Sequence, residues 1–251
     1  KSEFAAFPGP VVVTTNCILI PPESYAGRLF TMRAVGVPGG TRLDGTDFGA
    51  VIEMAKTCPT VPESAKKETT VGFHHSVILG VADKIVQAVK DGKVSRFFVI
   101  GGCDGYEPGR NYFSDYAEAA PEDSFVLTLG CGKYRIREHE FGVHQHLGLP
   151  RLLDMGQCND TFGAIQVAVA LAKAFDCTVN DLPLTIVLSW FEQKAVAVLL
   201  TLLALGVKGI TIGPAAPAFL SPNVLKILQD NYDLKVIGQD AKADVAAVMA
   251  G

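Results

Sequence analysis

The chain carries no excess of positive charge: 22 Lys and Arg stand against 26 Asp and Glu in 251 residues, a formal net charge of −4. Such a balance gives no global positive field to hold nucleic acid or an anionic membrane surface. Long apolar runs are also lacking. The longest, Ala195 to Val207, covers about 13 residues and falls short of the roughly 20 that span a bilayer. No basic segment followed by an apolar stretch marks export, so a cytoplasmic location is expected. The chain opens on Lys1-Ser2-Glu3-Phe4 rather than Met, as a fragment or processed piece would. No repeat or low-complexity tract is evident. G-x-x-x-x-G-K-[ST] is missing, and neither G-x-G-x-x-G nor G-x-S-x-G occurs in a strand–turn–helix setting, which argues against a phosphate cradle, a dinucleotide fingerprint and a serine nucleophile. Six cysteines, at 17, 58, 103, 131, 158 and 177, are too few for a disulfide-stapled miniature and point to metal or redox chemistry.

What is present suits a large core, with 49% hydrophobic and 19% charged residues. The length predicts one complete domain and part of another. Short apolar runs, Val11–Thr15, Phe97–Gly101, Phe125–Leu129, Leu184–Ser189, Gly209–Gly213 and Leu234–Ile237, read as strands. Between them Ile78–Lys90, Thr161–Phe175, Glu192–Leu205 and Ser221–Asn231 read as helices, with a further helical patch at Phe48–Thr57. Strand and helix in alternation predict parallel sheets with right-handed crossovers, and strands apolar throughout predict cover on both faces. The expected fold is α/β, with two doubly wound, Rossmann-like parallel-sheet domains, the first incomplete. Residues 1–92 form the first and 93–251 the second. Ser221 followed by Pro222 reads as a helix start, and Gly206 as a helix stop.

In an open parallel sheet the loops at the carboxyl ends of the strands converge on the crevice where ligands sit. Here those loops carry Asn16-Cys17, Gly102-Cys103-Asp104, Gly130-Cys131-Gly132 and Gln157-Cys158-Asn159, while Trp190-Phe191-Glu192-Gln193-Lys194 follows Leu184–Ser189. Four thiols and a carboxylate occupy equivalent positions. Ligands tens of residues apart do not make a zinc knuckle, which draws pairs two to four residues apart. They suit an iron–sulfur centre to which each strand gives one ligand, with Glu192 adding a hard oxygen and the flanking glycines admitting the backbone. Cys58 and Cys177 read as small hydrophobes. His74 and His75 read as capping or packing residues rather than ligands, and His139, His144 and His146 as solvated.

Five motifs together carry a resemblance: Thr14-Thr15-Asn16-Cys17-Ile18; Gly101-Gly102-Cys103-Asp104-Gly105 with Pro108-Gly109-Arg110-Asn111-Tyr112; Leu129-Gly130-Cys131-Gly132-Lys133-Tyr134-Arg135; Leu153-Asp154-Met155-Gly156-Gln157-Cys158-Asn159-Asp160; and Ser189-Trp190-Phe191-Glu192-Gln193-Lys194-Ala195. In this order they resemble the C-terminal part of the hybrid cluster, or prismane, proteins, also known as hydroxylamine reductases. The resemblance implies a four-iron hybrid iron–sulfur–oxygen cluster between α/β domains related to those of carbon monoxide dehydrogenases. It implies thiolate ligation by Cys17, Cys131 and Cys158, a ligand open to persulfidation at Cys103, a carboxylate ligand at Glu192 and a cation at Lys194 that assists substrate protonation. Hydroxylamine or nitric oxide would be the substrate and an electron-donor protein the partner. Family members carry, before the segment matched here, a second iron–sulfur cluster and a histidine and glutamate that complete the hybrid cluster, so the chain alone is expected to be inactive. A carbon monoxide dehydrogenase-like enzyme and a metal-free, non-catalytic α/β binding module are the alternatives.

Overall fold

The computed structural model of the chain describes residues 2–14, 20–33, 36–63, 68, 70–102, 104, 109–189 and 193–251. They fall into two compact units, Lys1–Glu68 and Thr69–Gly251. In the first, helix α1 (Ser2–Ala6) precedes strand β1 (Val11–Val13), α2 (Glu23–Ala26), β2 (Leu29–Thr31), β3 (Thr41–Arg42) and α3 (Gly49–Thr57). The strands described there form a parallel sheet in the order β1-β2-β3. Phe30, Met32 and Leu43 make its small core, with Val12, Val51 and Met54 packed against it.

The second unit runs α4 (His75–Leu79), α5 (Ala82–Lys90), β4 (Phe97–Gly101), α6 (Tyr112–Glu118), β5 (Phe125–Thr128), α7 (Lys133–Ile136), β6 (Leu152–Asp154), α8 (Thr161–Phe175), β7 (Leu184–Leu188), α9 (Gln193–Ala204), β8 (Thr211–Ile212), α10 (Pro222–Tyr232), β9 (Lys235–Val236) and α11 (Ala241–Ala250). Its described strands form one parallel sheet in the order β6-β5-β4-β7-β8-β9. The chain enters at the central β4, steps outward to β6, then returns to build the other half from β7. Strand order therefore reverses between β4 and β7, the topological switch point of a doubly wound sheet.

Both faces are covered, which is why the strands are apolar throughout. Phe98, Ile100 and Val187 pack under Phe113 and Tyr116 of α6 and Val245 of α11. On the opposite face Phe97, Phe125 and Leu127 meet Ile85 of α5 and Val167 and Leu171 of α8, while Ile186, Leu188 and Ile212 meet Leu199 and Leu202 of α9. Among the described residues no helix is long and apolar enough to cross a membrane.

Several local signals act as read. The Ser221 hydroxyl accepts from the Val224 amide at 3.3 Å with Pro222 in the first turn, and Gly206, at φ +78°, ends the segment after α9. The structure departs elsewhere. The helix expected over 78–90 is broken into α4 and α5 at Gly80, whose amide donates to Ser76 and Ile78 carbonyls as a cap; glycine is a weak helix former. Those helices also move the boundary between units. Ile78, Ile85, Val86 and Ala88 belong to the core beneath β5 and α8, so the units part at Glu68–Thr69, before the residue-92 boundary read from the pattern. His144 is buried rather than solvated, stacked on Phe125 with ring centroids 4.9 Å apart. Its loop folds back through a Val143–Pro150 bridge that turns the imidazole inward.

Candidate functional site

At the switch point the ends of β4 and β7 approach so closely that side chains cannot be accommodated. A Cβ on Gly102 would lie 2.3 Å from the Ser189 hydroxyl and 2.6 Å from its amide nitrogen, and one on Gly101 would lie 2.7 Å from a Leu188 methyl. Only glycine permits this approach. On the same loop Asp104, 1% exposed, accepts from the Phe113 amide at 3.0 Å and from the Ser114 amide at 3.2 Å. It thereby satisfies amides at the start of α6 from nine and ten residues away in sequence, and fixes where the β4 loop re-enters the fold. Cys17, Cys103 and Glu192 lie outside the described residues.

The neighbouring loops, after β5 and β6, carry Cys131 and Cys158. Both are thiols outside any disulfide, Cys131 exposed and Cys158 half-buried. The Gly130 amide donates to the Gly156 carbonyl at 3.1 Å, tying loop to loop. Gly130 and Gly156 hold φ of +105° and +122°, in the left-handed region that glycine favours. A Cβ on Gly130 would lie 3.3 Å from the Cys158 sulfur, so that sulfur rests against the backbone adjoining Cys131. Across the loops the Lys133 ammonium donates to Asp154 Oδ1 and to the Gly156 carbonyl, each at 3.0 Å. Cys158 opens a single turn that leads straight into α8: the Asp160 carboxylate accepts from the Gln157 amide at 2.7 Å and the Thr161 hydroxyl donates to the Cys158 carbonyl at 2.7 Å. The positive end of the 15-residue α8 thus follows Cys158 directly and favours an anionic sulfur there.

Lys194 is half-buried in the first turn of α9. Cys177 packs against the core as a small hydrophobe would. His74 caps α4, its Nδ1 accepting from the Ser76 amide at 3.4 Å, and His75 lies over Gly163 with Phe162 edge-on at 6.5 Å; capping and packing were the roles read for both. An apolar cavity of about 490 Å³ lies between the sheet and helices α8 and α9. Cys158 and Thr161 line it near the carboxyl ends of the strands, and Thr178, Asn180 and Gly206 near the opposite ends.

The donors in these loops are soft sulfurs on glycine-lined backbone, a set that fits an iron–sulfur group better than a hard cation. Among the described residues, no three of His, Cys, Asp and Glu gather as a metal site by themselves. Lys133 and Asp154 were not singled out from the sequence. The available signal was a charged residue closing the apolar run Leu152-Leu153, one β-neighbour away from a lysine that follows Cys131-Gly132.

Sheet order, switch-point glycines and thiol-bearing strand-end loops define a doubly wound α/β protein with its reactive groups at the carboxyl edge. The chain belongs to the Prismane/CO dehydrogenase family, whose model matches residues 1–245. It is 57% identical over 237 residues to the hydroxylamine reductase of Moorella thermoacetica, covering 94% of this chain and 55% of that protein. It is 56% identical over 253 residues to that of Acidithiobacillus ferridurans, covering 100% of this chain and 45% of that protein. The chain therefore spans about half the length of the curated relatives it matches. Among solved structures, a carbon monoxide dehydrogenase from Thermococcus sp. AM4 superimposes with a TM-score of 0.76 at 20% identity, over 99% of this chain and 46% of that one. Carbon monoxide dehydrogenase IV from Carboxydothermus hydrogenoformans gives 0.74 at 18% identity, over 99% and 48%. At these identities the likeness is one of fold.

Proposed function

We propose that this chain is part of an iron–sulfur oxidoreductase that reduces hydroxylamine to ammonia, NH₂OH + 2e⁻ + 2H⁺ → NH₃ + H₂O, with reduction of nitric oxide as a related activity. The observation that carries the reading is the meeting of the Cys131 and Cys158 loops beside the switch point, in a chain more than half identical to proteins named hydroxylamine reductase. Cys17, Cys131 and Cys158 would hold the cluster as thiolates, Cys103 as the ligand open to persulfidation, and Glu192 as the carboxylate. A hybrid iron–sulfur–oxygen cluster would supply stored electrons and an iron with room for substrate.

The chain's own groups do the rest. The glycine-lined loops bring backbone close to the sulfurs. The start of α8 favours negative charge at Cys158. Lys194 holds a proton near Glu192 in sequence, for delivery to the departing hydroxyl. An electron-donor protein supplies the reducing equivalents, and a second iron–sulfur cluster in the segment preceding this chain would pass them on.

The test is reduction of hydroxylamine by the full-length protein, reconstituted without oxygen and driven by reduced viologen. Cys158→Ala and Glu192→Ala should each abolish it, and undiminished activity in both would overturn the site. Stoichiometric nickel would instead favour a carbon monoxide dehydrogenase-like reaction.

A further inference from the structure

We infer that Lys133 and Asp154 are positioning residues, a buried charged staple that holds the Cys131 and Cys158 loops together as one donor pair; what that pair binds rests on the cluster reading above. β5 and β6 are register neighbours up to Thr128 and Asp154, and there the ladder ends. Beyond it, the two cysteine-bearing loops stay together with little backbone pairing, the Gly130-to-Gly156 hydrogen bond being one such link.

Lys133 supplies the missing connection. Its ammonium reaches back from the first turn of α7 and donates to Asp154 Oδ1 and the Gly156 carbonyl, each at 3.0 Å. The same Asp154 oxygen accepts from the Gly156 amide at 3.0 Å, so the carboxylate holds the β6 loop in a tight turn while the lysine draws in the β5 loop. A second, weaker tie runs from the Gln157 side-chain amide to the Tyr134 hydroxyl at 3.4 Å.

Three features make this arrangement positional rather than incidental. Lys133 and Asp154 have side chains only 11% and 6% exposed, so neither can exchange its partner for water without moving. The Cys158 sulfur lies against Gly130, so its place depends on where the staple holds that glycine. The pair is neutral overall, so it sets geometry without changing the net charge beside the thiols.

The test uses the metal-free, reduced chain with phenylarsine oxide, which bridges two sulfurs only when they can reach one arsenic atom. Iodoacetamide serves as the single-thiol probe, and peptide mass mapping assigns the bridge. Wild type and Lys133→Arg should be bridged between Cys131 and Cys158. Lys133→Met and Asp154→Asn should be bridged more slowly by about tenfold, because a loosened loop lowers the effective concentration of the second sulfur. Circular dichroism of these variants should stay close to wild type, and each bridging rate is compared after division by that variant's own alkylation rate, which corrects for the changed charge beside the thiols. Equal bridging in all four proteins, or no bridge between 131 and 158 in wild type, would overturn the staple. The same variants in the full-length protein should retain less iron and sulfide than wild type. A wild-type protein that assembles no iron while the bridging pattern holds would sink the cluster reading and leave the staple standing.

Discussion

Asp104 shows how much of this site rests on single side chains. It is buried beside Cys103 in sequence, and its two oxygens are occupied by the Phe113 and Ser114 amides and the Ser114 hydroxyl. Asp104→Ala strands those donors in a buried setting and should lower stability by about 2 kcal/mol, measurable by urea unfolding, whereas Asp104→Asn should recover part of the loss. Tyr112 and Tyr116 make a second residue-scale case. Burial, aided by the Asp244 carboxylate, pushes Tyr116 up to about 12 and Tyr112 higher still, the latter donating its hydroxyl proton to Asp244. Folding favours the neutral phenols. Their contribution is intact below the ordinary tyrosine value near 10 and is lost as pH climbs toward the folded values. Thermal stability should therefore fall steeply above about pH 10, and Tyr116→Phe should flatten that decline.

Elements converge at the switch point through glycines rather than through side-chain contacts. Gly102→Ala would drive a methyl into Ser189, forcing the ends of β4 and β7 apart. The expected cost is about 1–3 kcal/mol of stability, as for other overpacked sites, with loss of bound iron from the full-length protein. Differential scanning calorimetry and iron analysis measure the two effects. Sequence pattern was a good guide to such elements where an apolar run was long and bounded, as with α8, found over the span expected of it. It was a poor guide where tertiary packing supplied what the run lacked. β3 is two exposed residues whose identity as strand comes from pairing with β2. α11 is alanine-rich with a weak apolar stripe, started by the Asp240 side chain accepting from the Lys242 amide and held by Val245 in the core.

At the scale of the whole second unit, an apolar cavity of about 490 Å³ runs along the sheet and reaches Cys158. Its lining offers little to a polar solute and much to a small uncharged one. Filling it with Ala164→Phe in the full-length protein should lower kcat/KM for nitric oxide more than for hydroxylamine while leaving iron content unchanged, as read by stopped-flow turnover beside metal analysis. Equal losses for both substrates would argue that the cavity is packing space alone.

Residue type and local periodicity were enough to determine that this chain is α/β, that its strands are parallel and doubly covered, and that Cys131 and Cys158 sit on the loops that follow β5 and β6. Those properties follow from apolar runs, crossover lengths and the step from strand to glycine to cysteine, all of them local in sequence. Tertiary structure decided what depends on encounters between distant segments: that strand order reverses between β4 and β7, that residues 75–90 pack under β5 and α8 and belong to the second unit, that His144 turns inward onto Phe125, and that Lys133 meets Asp154. No pattern within one element encodes the partner across from it. Nothing in the sequence around Lys133 announces that the neighbouring strand places a carboxylate 3.0 Å from its ammonium in a site that water barely reaches.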